Sequence, residues 1–378
     1  MGVAVAALLC AACSSGSTAQ SPPKTTAVKS PPTKTHLGLV LPKTTVASKS
    51  HTLPALKVAG STLQLSSDKR LVMRGVVVYA VPFYETRGAP DPELAAVTRA
   101  AGGDPQAMFA RVKALGFNTV KIPLSTEVYA NDPYAPGGAE GYLARLQAIV
   151  DAATSQGLFV DLSWWDALAE RHSVTTEYSK QFPMMKAVAA TFANNPDVVY
   201  EPLVEPNGIT LEQWLVTSER MLEYWRGTIG YRGIIIADTR NWSWSFNPSY
   251  VKALIQYDGA LLGRPELLIA NNRFPNGNPC FCETERAVWD SLVGQYIGKF
   301  PLVGTQYGIS DGVGKAELKW GQDFAAYLKS YAIPSGFNGA LAFVWNWVGP
   351  NTMTVALTGK LTAWGRAVVH SLASPSRT

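Results

Sequence analysis

The chain has 378 residues, 47% of them hydrophobic and 16% charged, which leaves room for one large domain or two ordinary ones. Lys and Arg number 33 against 28 Asp and Glu, but the surplus of five (Lys24, Lys29, Lys34, Lys43 and Lys49) lies within residues 1–56, which hold no Arg, Asp or Glu. The remainder is neutral, so the charge count points to no basic face for nucleic acid. The four histidines are scattered and no C-x-x-C pair follows residue 13, so neither a metal nor a cofactor is expected.

The chain opens on MGVAVAALLCAACSSGSTAQ, an apolar run followed by small polar residues. The run is too short to span a bilayer as a helix. It reads as an export signal over residues 1–13, although it lacks a basic start. CAACSSGS is similar to the processing site of bacterial lipoproteins, which makes Cys13 the expected lipid anchor; Cys10 stands where Leu is usual, and plain secretion is the alternative. Either outcome places the protein outside the cytoplasm, touching a membrane only through that anchor. Residues 14–54 are rich in Ser, Thr, Pro and Lys and read as an extended, disordered linker.

The folded part is expected over residues 55–378. LKVAGSTLQLSSDKRLVMRG alternates apolar and polar residues around SSDK, so it reads as a β-hairpin. Eight strand-like runs follow: VMRGVVVY, NTVKIPL, LFVDLS, VVYEPLV, GIIIAD, ELLIAN, PLVGTQ and GALAFVW. Helical stretches such as GYLARLQAIVDAATSQG and LEQWLVTSERMLEYWRGTIG separate them, several ending in a Gly that suits a C-terminal cap. Near-continuous apolar strands imply a sheet buried on both faces. Eight strands each followed by a helix most simply close as a (β/α)8 barrel, with the hairpin as a lid. An open doubly wound sheet is disfavoured, because no Gly-rich turn follows the first strand.

Function in such a barrel collects at the carboxyl ends of the strands. Those ends carry Lys121, Asp161 with Ser163, Glu205, Asp238, Asn271 with Asn272, Gln306 and Trp345. Tyr79, Phe83, Trp164, Trp165, Trp242, Trp244 and Trp347 follow closely. Aromatic faces and amides suit a carbohydrate, whose rings stack and whose hydroxyls need partners. Trp164, Trp165 and Trp242 are assigned to the mouth, and Trp225, Trp289 and Trp364 to packing between barrel and helices. Lys121 and Asp161 are candidates for an interior ion pair, and Asp238 for holding the loop into TRNWSW.

Five of these stretches, in order, resemble the cellulase-type glycoside hydrolases of family 5. LKVAGSTLQLSSDKRLVMRGVVV resembles their lid hairpin and first strand, GFNTVKIPLS the second strand and VVYEPLVEPNG the fourth. FPLVGTQYG resembles the seventh and GALAFVWNW the eighth. The resemblance covers residues 55–372 and implies Glu205 as acid/base, Trp345 as the sugar-stacking Trp and a structural role for Glu201. It also marks departures. Val204 stands for the Asn before the acid/base, Ser163 for a His, Lys121 for an Arg, Asn272 and Phe274 for a His and a Tyr. Gln306 stands for the nucleophilic Glu.

Trp345, Trp165, Trp164, Trp242, Asn272, Lys121 and Ser163 are the expected sugar contacts, in a monomer whose partner is an oligo- or polysaccharide. A retaining glycosidase needs two carboxyl groups about 5–5.5 Å apart, and Gln306 cannot be the second. Without a like charge opposite, Glu205 is expected to titrate lower. Three readings follow. One is a glycosidase with altered machinery, using a water activated by Asp238, Asp161 or Asp166, or a substrate acetamido group oriented by Gln306. Another is a barrel that binds carbohydrate without cleaving it. The third is a serine esterase built on GISDG, with Ser310, His370 and Asp323. Cys280 and Cys282, in NPCFCET, would form a strained ring if bonded.

Overall fold

Runs with no polar face have to be covered on both sides. In the computed structural model eight of them close into one parallel barrel. The structure describes residues 53–80, 105–131, 137–165, 178–274, 286–309, 315–345, 352–354 and 360–372. A hairpin of β1 (Leu56–Ala59) and β2 (Thr62–Leu65) precedes the barrel strands β3 (Met73–Val77), β4 (Thr119–Leu124), β5 (Phe159–Trp164) and β6 (Val198–Glu201). The ring continues through β7 (Ile235–Asp238), β8 (Leu267–Ala270), β9 (Leu302–Tyr307) and β10 (Gly339–Ala342), and β10 pairs back onto β3.

A long helix follows each barrel strand: α1 (Pro105–Ala114), α2 (Gly138–Ser155), α3 (Phe182–Thr191), α4 (Leu211–Glu223), α5 (Pro248–Leu262), α6 (Arg286–Leu292), α7 (Lys315–Tyr327) and α8 (Ala363–Leu372). Two of these begin on strong caps that also anchor the loops above the barrel. Thr210 and Gln213 exchange hydrogen bonds of 3.2 and 2.9 Å at the start of α4. The Asn247 side chain accepts from the Ser249 and Tyr250 amides ahead of α5.

Alternation along each strand sorts side chains into two shells. Val120, Ile122, Leu124, Leu162, Trp164 and Tyr200 face the helices in the main core. Met73, Val199, Ile236, Leu268, Val303 and Leu341 form a second cluster with Val58 and Leu63 of the hairpin. Gly75 is required in the narrow interior, since a Cβ there would lie 2.6 Å from the Thr119 carbonyl oxygen.

The hairpin differs from its sequence reading. Its tight turn is at Gly60 and Ser61, with Ala59 opposite Thr62. SSDK makes the next turn, which brings Arg70 back beside Gln64. Gly60 takes the left-handed conformation that such a turn demands, φ 62°. The hairpin seals the amino-terminal end of the barrel: Leu63 N–H donates to Asn338 Oδ1 at 2.8 Å, and Val58 N–H to Glu266 Oε2 at 2.8 Å. Burying Leu63 completely contributes about 1.5–3 kcal/mol. No helix among the described residues is long and apolar enough to cross a membrane.

Candidate active site

Four residues beyond the end of β6, the backbone enters an unusual conformation. Glu205 has φ 50°, a left-handed state that costs a non-glycine residue about 1–2 kcal/mol. The Asp238 carboxyl holds it there by accepting the Glu205 N–H at Oδ1, 3.1 Å away. The half-buried Glu205 carboxyl accepts from Asn272 Nδ2 at 2.9 Å through Oε1. Its pKa is pushed up to about 7, because burial outweighs the opposing Asn272 hydrogen bond and the Lys121 charge. Burial is the largest cause and the Glu201 charge adds to it, so Glu205 stands above the ordinary carboxylate range without an anion at position 306.

Beneath Glu205 the barrel interior holds Lys121, Asp161, Glu201 and Asp238, all buried. Lys121 pairs with Glu201 rather than with Asp161. Glu201 also accepts from Thr305 Oγ1 at 2.6 Å. Burial works against the Glu201 carboxylate, but the Lys121 ammonium and these hydrogen bonds hold it below the usual range. Burial, followed by the Glu201 charge, pushes both Asp161 and Asp238 well up, so each keeps its proton. One cation therefore serves one anion, which is what a dry interior permits.

A group whose folded pKa is raised contributes stability below its unfolded value near 3.8, and that contribution is lost as pH rises toward the folded value. Asp161→Asn is therefore expected to change Tm little at pH 4 and to gain on the parent from there upward, by about 1.4 kcal/mol per pH unit inside the window. Thermal melts at pH 4, 6 and 8 read this directly.

On β9 the pairing with β10 slips, with Ala340 opposite Gly304 but Ala342 opposite Tyr307. Such a bulge re-aims side chains. Thr305 reaches Glu201 inside, while Tyr307 packs outside against Phe324 and Trp364. Between them Gln306 donates its N–H to Asn272 Oδ1 at 2.9 Å. Gln306 Nε2 is buried and makes no hydrogen bond among the described residues. Asn272 thus joins the backbone of Gln306 to the carboxyl of Glu205.

Beside these groups lies an aromatic cluster. Trp165 stacks on Phe343 at 5.9 Å and 8°, and Tyr79 and Phe274 meet Phe343 edge-on at 6.2 and 5.7 Å. Lys121 Nζ lies 5.4 Å from the Trp165 ring centroid, tying the cluster to the interior charges. Phe343 and Phe274 are missing from the expected sugar contacts. Phe343 stands just past the end of β10 at Ala342, where strand alternation no longer assigns a face, so the strand pattern did not mark it.

Two expected mouth residues lie elsewhere. Trp164 is 1% exposed and packs against Trp225 at 5.7 Å and Tyr200 at 6.2 Å, on the helix side where alternation puts it. Trp345 is 3% exposed within the main core, its carbonyl accepting from Thr354 Oγ1 at 2.7 Å, so it offers no open face. Trp225, Trp289 and Trp364 are buried in that same core.

Ser163 is buried beside Glu201, its hydroxyl 3.4 Å from the Ile122 carbonyl. Trp242 is 38% exposed on a loop where Asn241, Trp242 and Ser243 have φ of 54°, 59° and 59°. Asp238 holds that loop through Ser243 Oγ, as its position suggested. Cys13, Phe83, Asp166, Cys280, Cys282, Ser310 and Trp347 lie outside the described residues. The esterase reading fails on its other members. Asp323 is engaged by Lys319 at 2.7 Å on α7, and His370 is exposed at the carboxyl end of α8. Helices return antiparallel to the strands, so that end of α8 lies opposite the strand ends that carry the site. A depression of about 550 Å³ also opens there, lined by Ala55, Leu56, Pro196 and Tyr231, and none of the site residues borders it.

The model of the cellulase family, glycosyl hydrolase family 5, matches residues 87–265. No curated protein matches the sequence. Among solved structures, the catalytic domain of an endoglucanase from Thermobifida fusca in complex with cellotetraose is similar at TM-score 0.64 and 16% identity, over 85% of this chain and 97% of that one. A β-mannanase from Streptomyces thermolilacinus with mannohexaose gives 0.60 and 17%, over 86% and 96%. A β-glucanase from Saccharophagus degradans gives 0.63 and 17%, over 86% and 95%. With the closed eight-stranded ring in hand, the chain is a TIM barrel, and its residues 87–265 are similar to the cellulase family, glycosyl hydrolase family 5.

Proposed function

We propose that the protein hydrolyses O-glycosidic bonds of a polysaccharide, with Glu205 as proton donor. The observation that carries this is the state of the Glu205 carboxyl: half-buried beyond a strand end, fixed at one oxygen, and raised to about 7. A group tuned to that value donates a proton effectively near neutrality. The Trp165 and Phe343 cluster supports the same reading with flat apolar surface of the kind sugar rings stack on. In turnover, Glu205 protonates the departing oxygen as its bond to the anomeric carbon breaks. A water oxygen bonds to that carbon, and the proton it releases restores Glu205.

On this reading Gln306 occupies the place of the second carboxyl and supplies no charge. The machinery is then non-standard. Asp161 and Asp238 hold their protons and are poor bases for the water. A substrate 2-acetamido group oriented by Gln306 is the remaining route to an internal nucleophile. The neutral Gln306 also favours a second reading, binding without cleavage.

Incubation with β-glucans, mannans, chitin and peptidoglycan fragments separates the two, if binding and released reducing ends are both measured. Binding with no release on any substrate removes the hydrolase. Gln306→Glu is expected to raise turnover of glucan or mannan by about 10²-fold or more, by restoring an anion at the anomeric carbon. No gain in a folded, binding-competent variant would show that the remaining departures had already dismantled the site.

A further inference from the structure

The amide of Asn272 has no freedom to turn over. Its Oδ1 accepts the Gln306 main-chain N–H at 2.9 Å, a donor that cannot change role, and lies 3.1 Å from Thr305 Oγ1. Nδ2 therefore faces the other way, 2.9 Å from Glu205 Oε1 and 3.5 Å from Asp238 Oδ1. Asn272 itself is fully buried, so water does not compete for these bonds. An amide N–H donates at every pH. Oε1 of Glu205 is thus held as an acceptor, and Oε2 is the oxygen left to bear a proton.

We infer that Asn272 is a positioning residue for hydrolysis: by reserving Oε1 of Glu205 it confines the acid proton to Oε2. This rests on Glu205 being the proton donor, and it replaces the sugar contact expected of Asn272. Among the described residues, the charged and titratable groups around Glu205 are Lys121 on β4, Glu201 on β6 and Asp238 on β7. Arg273, next in the chain, directs its guanidinium at the Trp244 carbonyl, 3.5 Å away. Against the burial that raises Glu205, the Asn272 hydrogen bond pulls it down, as a donor to the charged form does.

Asn272→Asp is the discriminating variant. It keeps the shape and the acceptor for Gln306 N–H, and exchanges only the donor facing Glu205 for an oxygen. Carbon-13 NMR of the Glu205 carboxyl in the full chain, assigned with Glu205→Gln, is expected to show its midpoint moved up by at least about one pH unit, the pair titrating in two steps. On whichever glucan or mannan the parent cleaves, the alkaline limb of kcat/KM moves up with it. Asn272→Ala also moves the midpoint up, by less, and carries the test if the Asp variant does not fold. A merely structural role would lower the rate equally at every pH and leave the midpoint in place, which would overturn the inference. If no substrate is cleaved, the hydrolase reading fails and takes the catalytic role of Asn272 with it, while the NMR midpoint still decides whether Asn272 reserves Oε1 of Glu205.

Discussion

Glu205→Gln is expected to lower turnover by about 10²–10⁴-fold, the usual contribution of a positioned general acid, while the fold and glycan binding survive. The substitution keeps the size of the side chain and leaves an oxygen to accept from Asn272 Nδ2. Only the transferable proton is lost. In the parent, kcat/KM should fall as pH rises through about 7, where Glu205 gives up its proton; in the variant that limb should vanish. Stability should move the other way. A carboxyl raised in the folded state contributes stability below its ordinary 4.5 and loses it as pH climbs through about 7. At pH 8 the neutral Gln is expected to be the more stable, by up to about 3 kcal/mol before allowance for the solvent that reaches a half-buried group. Lower activity with a higher Tm marks a site where function holds a costly group in place. Equal reducing-end release by parent and variant would remove Glu205 from the chemistry.

Lys121→Met is expected to destabilise the barrel by about 3–5 kcal/mol, the range for leaving one member of a buried ion pair alone. Lys121 and Glu201 are both fully buried, and among the described residues no other cation stands against Glu201. Met fills most of the volume, so the loss is electrostatic rather than a cavity. Lys121 is itself held above its usual 10.5, so the stability its own charge contributes is lost only in strong alkali and is fully present at neutral pH. In the variant Glu201 must take up a proton to remain buried, so the deficit should be small at pH 4 and grow toward pH 8. Lys121→Met combined with Glu201→Gln should recover most of it, because the orphaned charge is gone. Urea denaturation of parent, single and double variants at both pH values measures this. A single variant within 1 kcal/mol of the parent at pH 8, the usual tolerance of an inert site, would mean that the pair is worth no more than its apolar replacement.

Both results turn on residues whose depth the chain itself discloses. Period-two alternation in NTVKIPL, LFVDLS and VVYEPLV places Lys121, Asp161, Ser163 and Glu201 on one face and Ile122, Leu162, Trp164 and Tyr200 on the other. The same rule sends Trp164 outward, although its place near a strand end suggested the mouth. Trp345 and Phe343 show where the rule stops. The strand ends at Ala342, and which aromatic faces the cleft is settled by the segment beyond it. The turn at Gly60 is a local property that SSDK masked, since both stretches suit a turn.

Sequence alone therefore determined the closed ring, the order of its elements and the carboxylate beyond the fourth barrel strand. Each of these depends on hydrophobic period and chain order, which are local. Only the tertiary structure decided that Lys121 answers Glu201 rather than Asp161, that Glu205 is raised rather than lowered, and that Asn272 clasps Glu205 and Gln306. Those outcomes depend on distances between residues far apart in the chain and on how completely water is removed around them, and neither quantity is written in any short stretch of sequence.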